Sequence, residues 1–435
     1  MYGKPLAYVV KVGEIREIPG ADRIELASVM DYTVVVKKGE YKPGDFGIYV
    51  EVDSLLPDGL TPELKEKYDK IKKGEVLADA SEQERVDAIR AIQEQSKYPY
   101  FEFLRDKKFK IKSMKLSKFG VVSQGILFKA SDLGLTNVTE GQDYTQHFNI
   151  TEIVQDEEEA GIAAAEEERK KKLSWWKRKL CRWSFFRKIF LPKKVSENWD
   201  PSFPEKSDEE NVQKIYTKMF EAHKDEWFVK TEKLEGQNIS IFTEMVEKHH
   251  WFRKPTREKE VSVCSRTRRL SRNGTGKKFW DTVIRLGYDQ KVLAVEGEWW
   301  FRGEHCGPGI QGNIYKLPDT DVIFFDVYRK EKYEDRTNGI KIKTRWVKLP
   351  YEEAKAKVEE AGLKFVPVLD ENYKLPESTV NEKGVKISGA DIMLQESDKN
   401  TVFGNNLKHK SEGFVLRLKS DSNVSFKVKN PNYSI

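Results

Sequence analysis

The chain has 435 residues, 38% hydrophobic and 34% charged, with 77 Lys and Arg against 71 Asp and Glu. That length suits two or three domains, each able to bury its own core, and the net charge of +6 permits a polyanionic partner without requiring one. No run approaches the ~20 apolar residues of a membrane-spanning helix, Met1–Pro5 lacks the apolar stretch of a secretion signal, and Cys181, Cys264 and Cys306 stand apart with no C-x-x-C pair, which disfavours a disulfide scaffold or a cysteine zinc site and suggests a reducing, cytoplasmic compartment.

The first 58 residues read as β. Segments 6–12, 23–29, 32–38 and 46–52 are rich in Val, Ile and Tyr, and Pro/Gly/Asp clusters separate them. Residues 60–98 change character. Ser81-Glu82-Gln83-Glu84 is a capping-box pattern, with Val86, Ile89 and Ile92 following at helical spacing, so this stretch reads as a helical insertion. Strand-like sequence resumes at Phe101 and continues through 108–114 and 121–128. Several short strands within 1–150 suit a small closed barrel of the OB type. The alternating Lys108-Phe109-Lys110-Ile111-Lys112 has two readings, an RNA-tracking face and a half-exposed strand guarded by lysines.

Residues 151–200 form a linker in which acidic runs precede a Trp/Lys/Arg block at 170–191, interleaved at roughly helical spacing. That block could bind RNA by stacking and charge, pack against its own domains, or lie on a membrane surface; the first two are preferred. From 201 to 435 the chain is mixed α and β. Five short motifs follow in order here: Thr231-Glu232-Lys233-Leu234-Glu235-Gly236; Val263-Cys264-Ser265-Arg266; Val295-Glu296-Gly297-Glu298, with Gly307-Pro308-Gly309-Ile310-Gln311-Gly312-Asn313 behind it; Ile323-Phe324-Phe325-Asp326-Val327; and Ser411-Glu412-Gly413-Phe414-Val415, trailed by Phe426-Lys427-Val428-Lys429. Strand alternation assigns Phe324 to a core and Phe325 to a ligand-facing side. His305 and Cys306 read as loop residues without chemistry.

Together these motifs resemble the covalent nucleotidyltransferase superfamily, which holds RNA ligases, DNA ligases and mRNA capping enzymes. The best match is to the ATP-dependent RNA ligases that seal 3′-OH and 5′-phosphate ends, in the subgroup with an N-terminal OB module. The resemblance implies an α+β protein: an OB-like β-barrel followed by a mixed α/β nucleotidyltransferase domain. It implies ATP and Mg²⁺ or Mn²⁺ as cofactors, RNA ends or a nicked RNA duplex as partner, and a role in RNA repair by a monomer. Lys233 would be the nucleophile that carries AMP. Glu235, Glu298 and Glu412 would hold the metal, partly through water, as hard oxygen ligands do. Glu232, Arg266, Phe325, Lys427 and Lys429 would join Lys233 and Glu298 in binding the nucleotide, with Phe325 stacking on adenine and Arg266 contacting the nucleic-acid end or the phosphates.

The chemistry sets a condition. A lysine amine attacks only when neutral, and its ordinary pKa is ~10.4, so a cation, a metal or burial must lower it. Lys427 and Lys429, two apart on one strand face, are the expected cations. One departure stands out: the family's Lys-Thr-Asp-Glu-x-Arg stretch is here Lys206-Ser207-Asp208-Glu209-Glu210-Asn211, and Lys206 or Lys214 would have to cover for the missing arginine. DNA ligases and capping enzymes normally carry an OB domain after the last lysine motif. Only Asn430–Ile435 follow here, which argues against both. The remaining alternative is an RNA-binding protein with a degenerate ligase domain.

Overall fold

A computed structural model describes residues 5–116, 118–119, 121–153, 196–205, 209–250, 253–272, 276–335, 341–380 and 386–433. The 170–191 block and Lys206 lie outside them. The chain divides into two units, Met1–Glu158 and Glu159–Ile435.

Unit one contains strands β1 (Ala7–Glu17), β2 (Ile24–Val29), β3 (Tyr32–Lys37), β4 (Phe46–Val50), β5 (Ser54–Leu55), β6 (Met114–Leu116), β7 (Val121–Ser123), β8 (Ile126–Lys129) and β9 (Thr151–Glu152). Five of them form a sheet in the order β3-β2-β1-β4-β8. Its two edges are drawn together where Gln124 N–H donates to the Thr33 carbonyl (2.8 Å) and Val35 N–H to Ser123 Oγ (3.0 Å). The start of β1 is apolar on both faces because it serves two cores. Tyr8, Val10 and Val12 enter the cluster with Val34, Tyr49 and Leu127, while Ala7 and Val9 enter the cluster with Ile48, Phe101 and Phe148. Helices α1 (Pro62–Lys72) and α2 (Glu82–Gln93) form the insertion. Ser81 and Glu84 close the capping box in both directions. The pair buries Tyr68, Ile71 and Ile92 against Leu60, a small core of its own.

One sequence expectation is corrected here. Residues 101–107 are not strand; Pro99–Lys107 is a 3-10 helix. Lys108 and Phe109 then take left-handed φ values of 52° and 57°, which interrupts any regular strand. The alternation survives only as burial: Phe109 and Ile111 enter the core while Lys108 and Lys112 are exposed.

Among the described residues, unit two has two main sheets. The larger runs β10-β15-β14-β13-β16-β17-β18, from β10 (Ser196–Asn198), β13 (Gln237–His250), β14 (Arg253–Cys264), β15 (Arg268–Leu270), β16 (Trp299–Cys306), β17 (Asp321–Asp335) and β18 (Lys341–Lys348). The smaller runs β11-β23-β22-β12-β19, from β11 (Glu210–Asn211), β12 (Phe228–Glu232), β19 (Val368–Tyr373), β22 (Gly413–Leu418) and β23 (Ser425–Lys429). Thr379–Val380 (β20) and Lys386–Ile387 (β21) pair separately. Helix α3 (Val212–His223) and the helix Gly389–Ser397 cover the smaller sheet through Val212, Tyr216 and Met393. His305 and Cys306 are not in a loop: they are the last residues of β16 and fully buried.

The larger sheet has a core on each face. On one side, Phe301, Phe324 and Val327 pack with Trp280, Tyr288 and Val358 from three helices. On the other, Trp300 stacks on Phe242 at 4.2 Å and 14°, and Trp199 and Phe203 from the entering segment stand edge-on or tilted against Trp300 at 5.6 and 5.0 Å. Arg302 fastens the same segment by donating to the Glu205 carbonyl (2.6 Å). Trp300→Ala is expected to destabilise unit two by about 3–5 kcal/mol, read as a lower urea midpoint with an unchanged slope; a shift under about 1 kcal/mol would contradict this packing.

Candidate active site

All five residues of β12 are buried, and the strand lies between β22 and β19. Lys233 leaves its end, where its N–H donates to the Gly413 carbonyl (3.0 Å). Gly413 sits at φ +135°, and any Cβ there would strike the Val428 carbonyl, so the residue after Glu412 must be glycine. Across this junction Lys233 Nζ donates to Glu412 Oε1 at 2.6 Å. Two residues on, Glu235 N–H donates to Tyr315 Oη (2.6 Å). Gly236 then packs so closely on β16 that an added Cβ would meet Glu304 Cγ at 2.9 Å. The lysine motif thus brings together carboxylates from three places: its own Glu235, Glu412 before β22, and Glu304 on β16.

The electrostatics correct the sequence reading. Burial alone would push Lys233 down, but Glu412, Glu235 and Glu304 outweigh it and hold the ammonium above the ordinary lysine range. Lys427 and Lys429 do not make the resting lysine neutral. The carboxylates respond to the same crowding: burial first, then the neighbouring acid groups, raise Glu235 to about 7 and Glu304 to about 8. Lys429 acts on Glu235, and Arg266 on Glu304, as opposing cations.

Glu298 is not part of this group. It accepts from Lys330 Nζ (2.8 Å) and Met245 N–H (3.1 Å), six residues and hence roughly 20 Å along the strand direction from Glu304. The Arg302-Gly303-Glu304 run on β16 supplies the carboxylate that the sequence reading assigned to Val295-Glu296-Gly297-Glu298. Both stretches end in Gly-Glu. Glu304 is distinguished by lying inside a strand whose other seven residues are all buried, an environment a carboxylate enters only with partners.

The remaining residues form two walls. Phe325 is partly buried in a cluster with Leu234, Cys306 and Tyr315, while Phe324 is fully in the core. The Arg417 guanidinium stands 5.4 Å from the Phe325 ring centre and pairs with buried Asp326 (3.0 Å). Lys348 also pairs with Asp326 (3.1 Å), and Arg417 reaches Thr231 Oγ1 (3.1 Å) and, more distantly, Glu209 (3.6 Å). Burial pulls Lys348 below its usual range, while Lys348 and Arg417 outweigh burial to hold Asp326 below its own. Glu232, 2% exposed, accepts from Val402 N–H (3.1 Å) with one oxygen; burial raises it, and its Oε1 has no hydrogen-bond partner. On β23, Lys427 and Lys429 share one face. Lys427 is in register with Val415 on one side and with Asn211 of β11 on the other. The residue replacing the family's arginine therefore lies beside Lys427, and Lys214 is engaged with Glu210 at 3.6 Å.

A divalent cation fits this chemistry. Three carboxylates face one ammonium, and Glu412 Oε2 is buried with no hydrogen-bond partner. Among the described residues no three His, Cys, Asp or Glu side chains are arranged to hold an ion directly, so Glu235, Glu304 and Glu412 would share the shell with water, as Mg²⁺ favours. Tyr315 and Arg417 carry no recognisable motif; only the fold brings them to the site.

Comparison with known proteins agrees with this fold. Residues 6–95 match an OB-fold domain family, and residues 226–429 match the RNA ligase family. No curated protein sequence matches the chain. Among solved structures, a variant of Naegleria gruberi RNA ligase with ATP and Mn superposes with a TM-score of 0.61 at 20% identity, covering 98% of this chain and 97% of that one. Another variant of the same enzyme, with AMP and Mn, gives 0.60 at 21% over 98% and 97%, and the enzyme with pyrophosphate gives 0.60 at 21% over 98% and 97%.

Proposed function

We propose that this chain, which carries an RNA ligase domain over residues 226–429, joins RNA 3′-OH and 5′-phosphate ends at the expense of ATP, with Mg²⁺ or Mn²⁺ as metal. The observation that carries the reading is Lys233 at the end of β12, paired with Glu412 at 2.6 Å in a pocket that also holds Glu235, Glu304 and Lys429. Of the molecules in the solved neighbours, ATP is the substrate and pyrophosphate the leaving product of such a first step, and AMP is the group it transfers and the last step releases.

In the first step Lys233 Nζ attacks the α-phosphate, a P–N bond forms, and the bond to the β-phosphate oxygen breaks as pyrophosphate leaves. Glu412 Oε1 is placed to take the ammonium proton. A bound divalent cation would offset the carboxylates that hold this proton on Lys233 and would orient the triphosphate. Lys427 and Lys429 face the phosphates and stabilise the departing charge. Phe325, backed by Arg417, stacks on adenine, and Glu232 closes the pocket through the Val402 amide. The AMP then passes to an RNA 5′-phosphate, and a 3′-OH attacks that phosphate and expels AMP. Arg266, beside Glu304, suits the RNA 5′-phosphate. We assign the RNA to a nicked duplex and the working form to a monomer. A degenerate RNA-binding domain has no use for a lysine and a carboxylate held at 2.6 Å. No helix among the described residues is long and apolar enough to cross a membrane.

The test is label transfer. Protein mixed with α-labelled ATP and Mg²⁺ or Mn²⁺ should retain label on a denaturing gel and, with nicked RNA added, release AMP and join the strands. Folded, AMP-free protein that stays unlabelled would sink the reading. Because neighbouring acids hold Lys233 protonated, the neutral fraction rises tenfold per pH unit below its pKa. Label transfer at limiting metal is therefore expected to accelerate with pH through the neutral and mildly alkaline range, and a rate that falls there would contradict the assignment.

A further inference from the structure

The β12–β22 ladder ends at the bond from Lys233 N–H to Gly413, the first residue of β22. Backbone past that point needs other partners. At Glu235 both come from side chains. Its N–H donates to Tyr315 Oη at 2.6 Å, and its carbonyl accepts from the Cys306 thiol at 3.5 Å. Burial raises that thiol well above its usual range, so it stays a donor. Tyr315, 2% exposed, is itself fixed from two directions. Its own loop is clasped by Asn313, whose side chain donates to the Leu317 carbonyl (3.0 Å) and accepts from the Leu317 N–H (3.0 Å). Left-handed φ values at Gly312, Asn313 and Lys316 turn this loop. The 403–406 segment docks on it from the other side. Asn405 N–H donates to the Tyr315 carbonyl (2.8 Å), and the Asn405 and Asn406 side chains donate to the Lys316 (3.1 Å) and Ile314 (2.8 Å) carbonyls. The Phe403 ring stands edge-on to the phenol ring at 5.0 Å. Gly404 comes so close that an added Cβ would meet Tyr315 Cβ at 2.7 Å. The glycine-rich motif at 307–313, which the chemistry above leaves unused, leads into this mount for one hydroxyl.

We infer that Tyr315 is a positioning residue of the lysine site: its hydroxyl fixes the Glu235 backbone and so sets where Lys233 and the Glu235 carboxylate stand. This rests on the ligase reading above. Gly413 anchors the motif at the nucleophile, and Tyr315 anchors it two residues further on. Two anchors that close together leave the turn between them little freedom. Without the second, Glu235 answers only to the charges around it, where Glu412 repels and Lys233 and Lys429 attract. Charges act without directional preference; a hydrogen bond to one oxygen has direction. A displacement of ~1 Å at a reacting centre can cost ~10²-fold in rate. Tyr315 acts through the Glu235 backbone, so its effect belongs to the rate of the chemical step rather than to ATP affinity.

The experiment compares Tyr315→Phe and Tyr315→Ala in the full chain. Phenylalanine keeps the ring, which shares a cluster with Leu234 and Phe325, and removes only the hydroxyl. Three quantities are measured: the rate and ATP dependence of label transfer to protein, amide hydrogen exchange over 234–236 without nucleotide, and melting temperature. For Tyr315→Phe the expected kcat is about tenfold lower, with KM for ATP within about twofold. Exchange over 234–236 should be about tenfold faster while β12 keeps its protection, and melting should fall by no more than about 4 °C. Tyr315→Ala should be no faster than Tyr315→Phe, and a faster alanine variant would count against the hydroxyl. An unaltered kcat in Tyr315→Phe, or a loss carried by KM, would overturn the inference. Unchanged exchange over 234–236 would overturn it whatever the rate. A Tyr315→Phe protein that melts much earlier or loses protection across β12 would overturn it too, since the hydroxyl would then serve the fold at large. Absence of label on the unaltered protein is a separate failure, of the ligase reading itself, visible before any variant is compared.

Discussion

Lys233→Ala is expected to remove label transfer from ATP altogether, a loss of at least ~10³-fold, while joining of RNA supplied with a ready-made 5′-adenylate persists. The two outcomes separate because the lysine is consumed only in forming the enzyme–AMP bond; the later attack by a 3′-OH uses the pocket without it. The variant should also fold. Lys233 is partly exposed and lies past the end of its strand, and its backbone bond to Gly413 does not involve the side chain. Its removal leaves Glu412, Glu235 and Glu304 without their common cation, which favours protonation of one of them rather than unfolding. If Lys233→Ala still takes up label, the nucleophile lies elsewhere. If it loses the joining of pre-adenylylated RNA to the same degree, the residue serves the whole pocket and not the first step.

The second large effect separates two glutamates six positions apart. Glu304→Ala is expected to slow label transfer by ~10²–10³-fold, the range seen when one preorganised electrostatic group is deleted from an active site. Glu298→Ala should stay within about threefold of the unaltered protein, because it loses a partly exposed ion pair with Lys330, worth about 0–1 kcal/mol. The reverse ranking would show that the carboxylate beside Lys233 is a structural bystander, and would restore the assignment that sequence spacing favours. Glu304→Gln sharpens the comparison. It keeps the volume under Gly236 and removes only the charge, so a strong defect there is electrostatic rather than a packing failure.

The pair also explains why the sequence carried some of the site and not the rest. Lys233, Glu235, Glu412 and the two β23 lysines sit in short local patterns whose chemistry is written in neighbouring residues. Glu304 does not. Its role depends on β16 pairing with β13 in the register that sets Asn238 opposite Glu304, a non-local fact. Tyr315 and Arg417 are harder still, since their partners Glu235 and Asp326 are 80 and 91 positions away in the chain. In unit one the same division holds. The insertion was legible because Ser81 and Glu84 announce a helix start locally. Residues 108–112 were misread because alternating burial follows from where side chains go, whereas strand identity follows from backbone angles that two left-handed residues break. The resting state of Lys233 inverted for a similar reason: counting cations near a lysine in sequence gives the sign only when the acids folded around it are also known.

The aromatic strap of Trp199 and Phe203 has a consequence for where the ligase half begins. The RNA ligase family match starts at residue 226, but the physical unit starts earlier. A fragment cut at 226 would lack β10, β11 and α3. It would leave the stacked face of Trp300, Phe242 and Trp346 uncovered to water, with Arg302 deprived of the Glu205 carbonyl. The boundary that respects the molecule lies ahead of Ser196: Trp199 and Phe203 are the outer skin of the domain's second core, and α3 covers its smaller sheet.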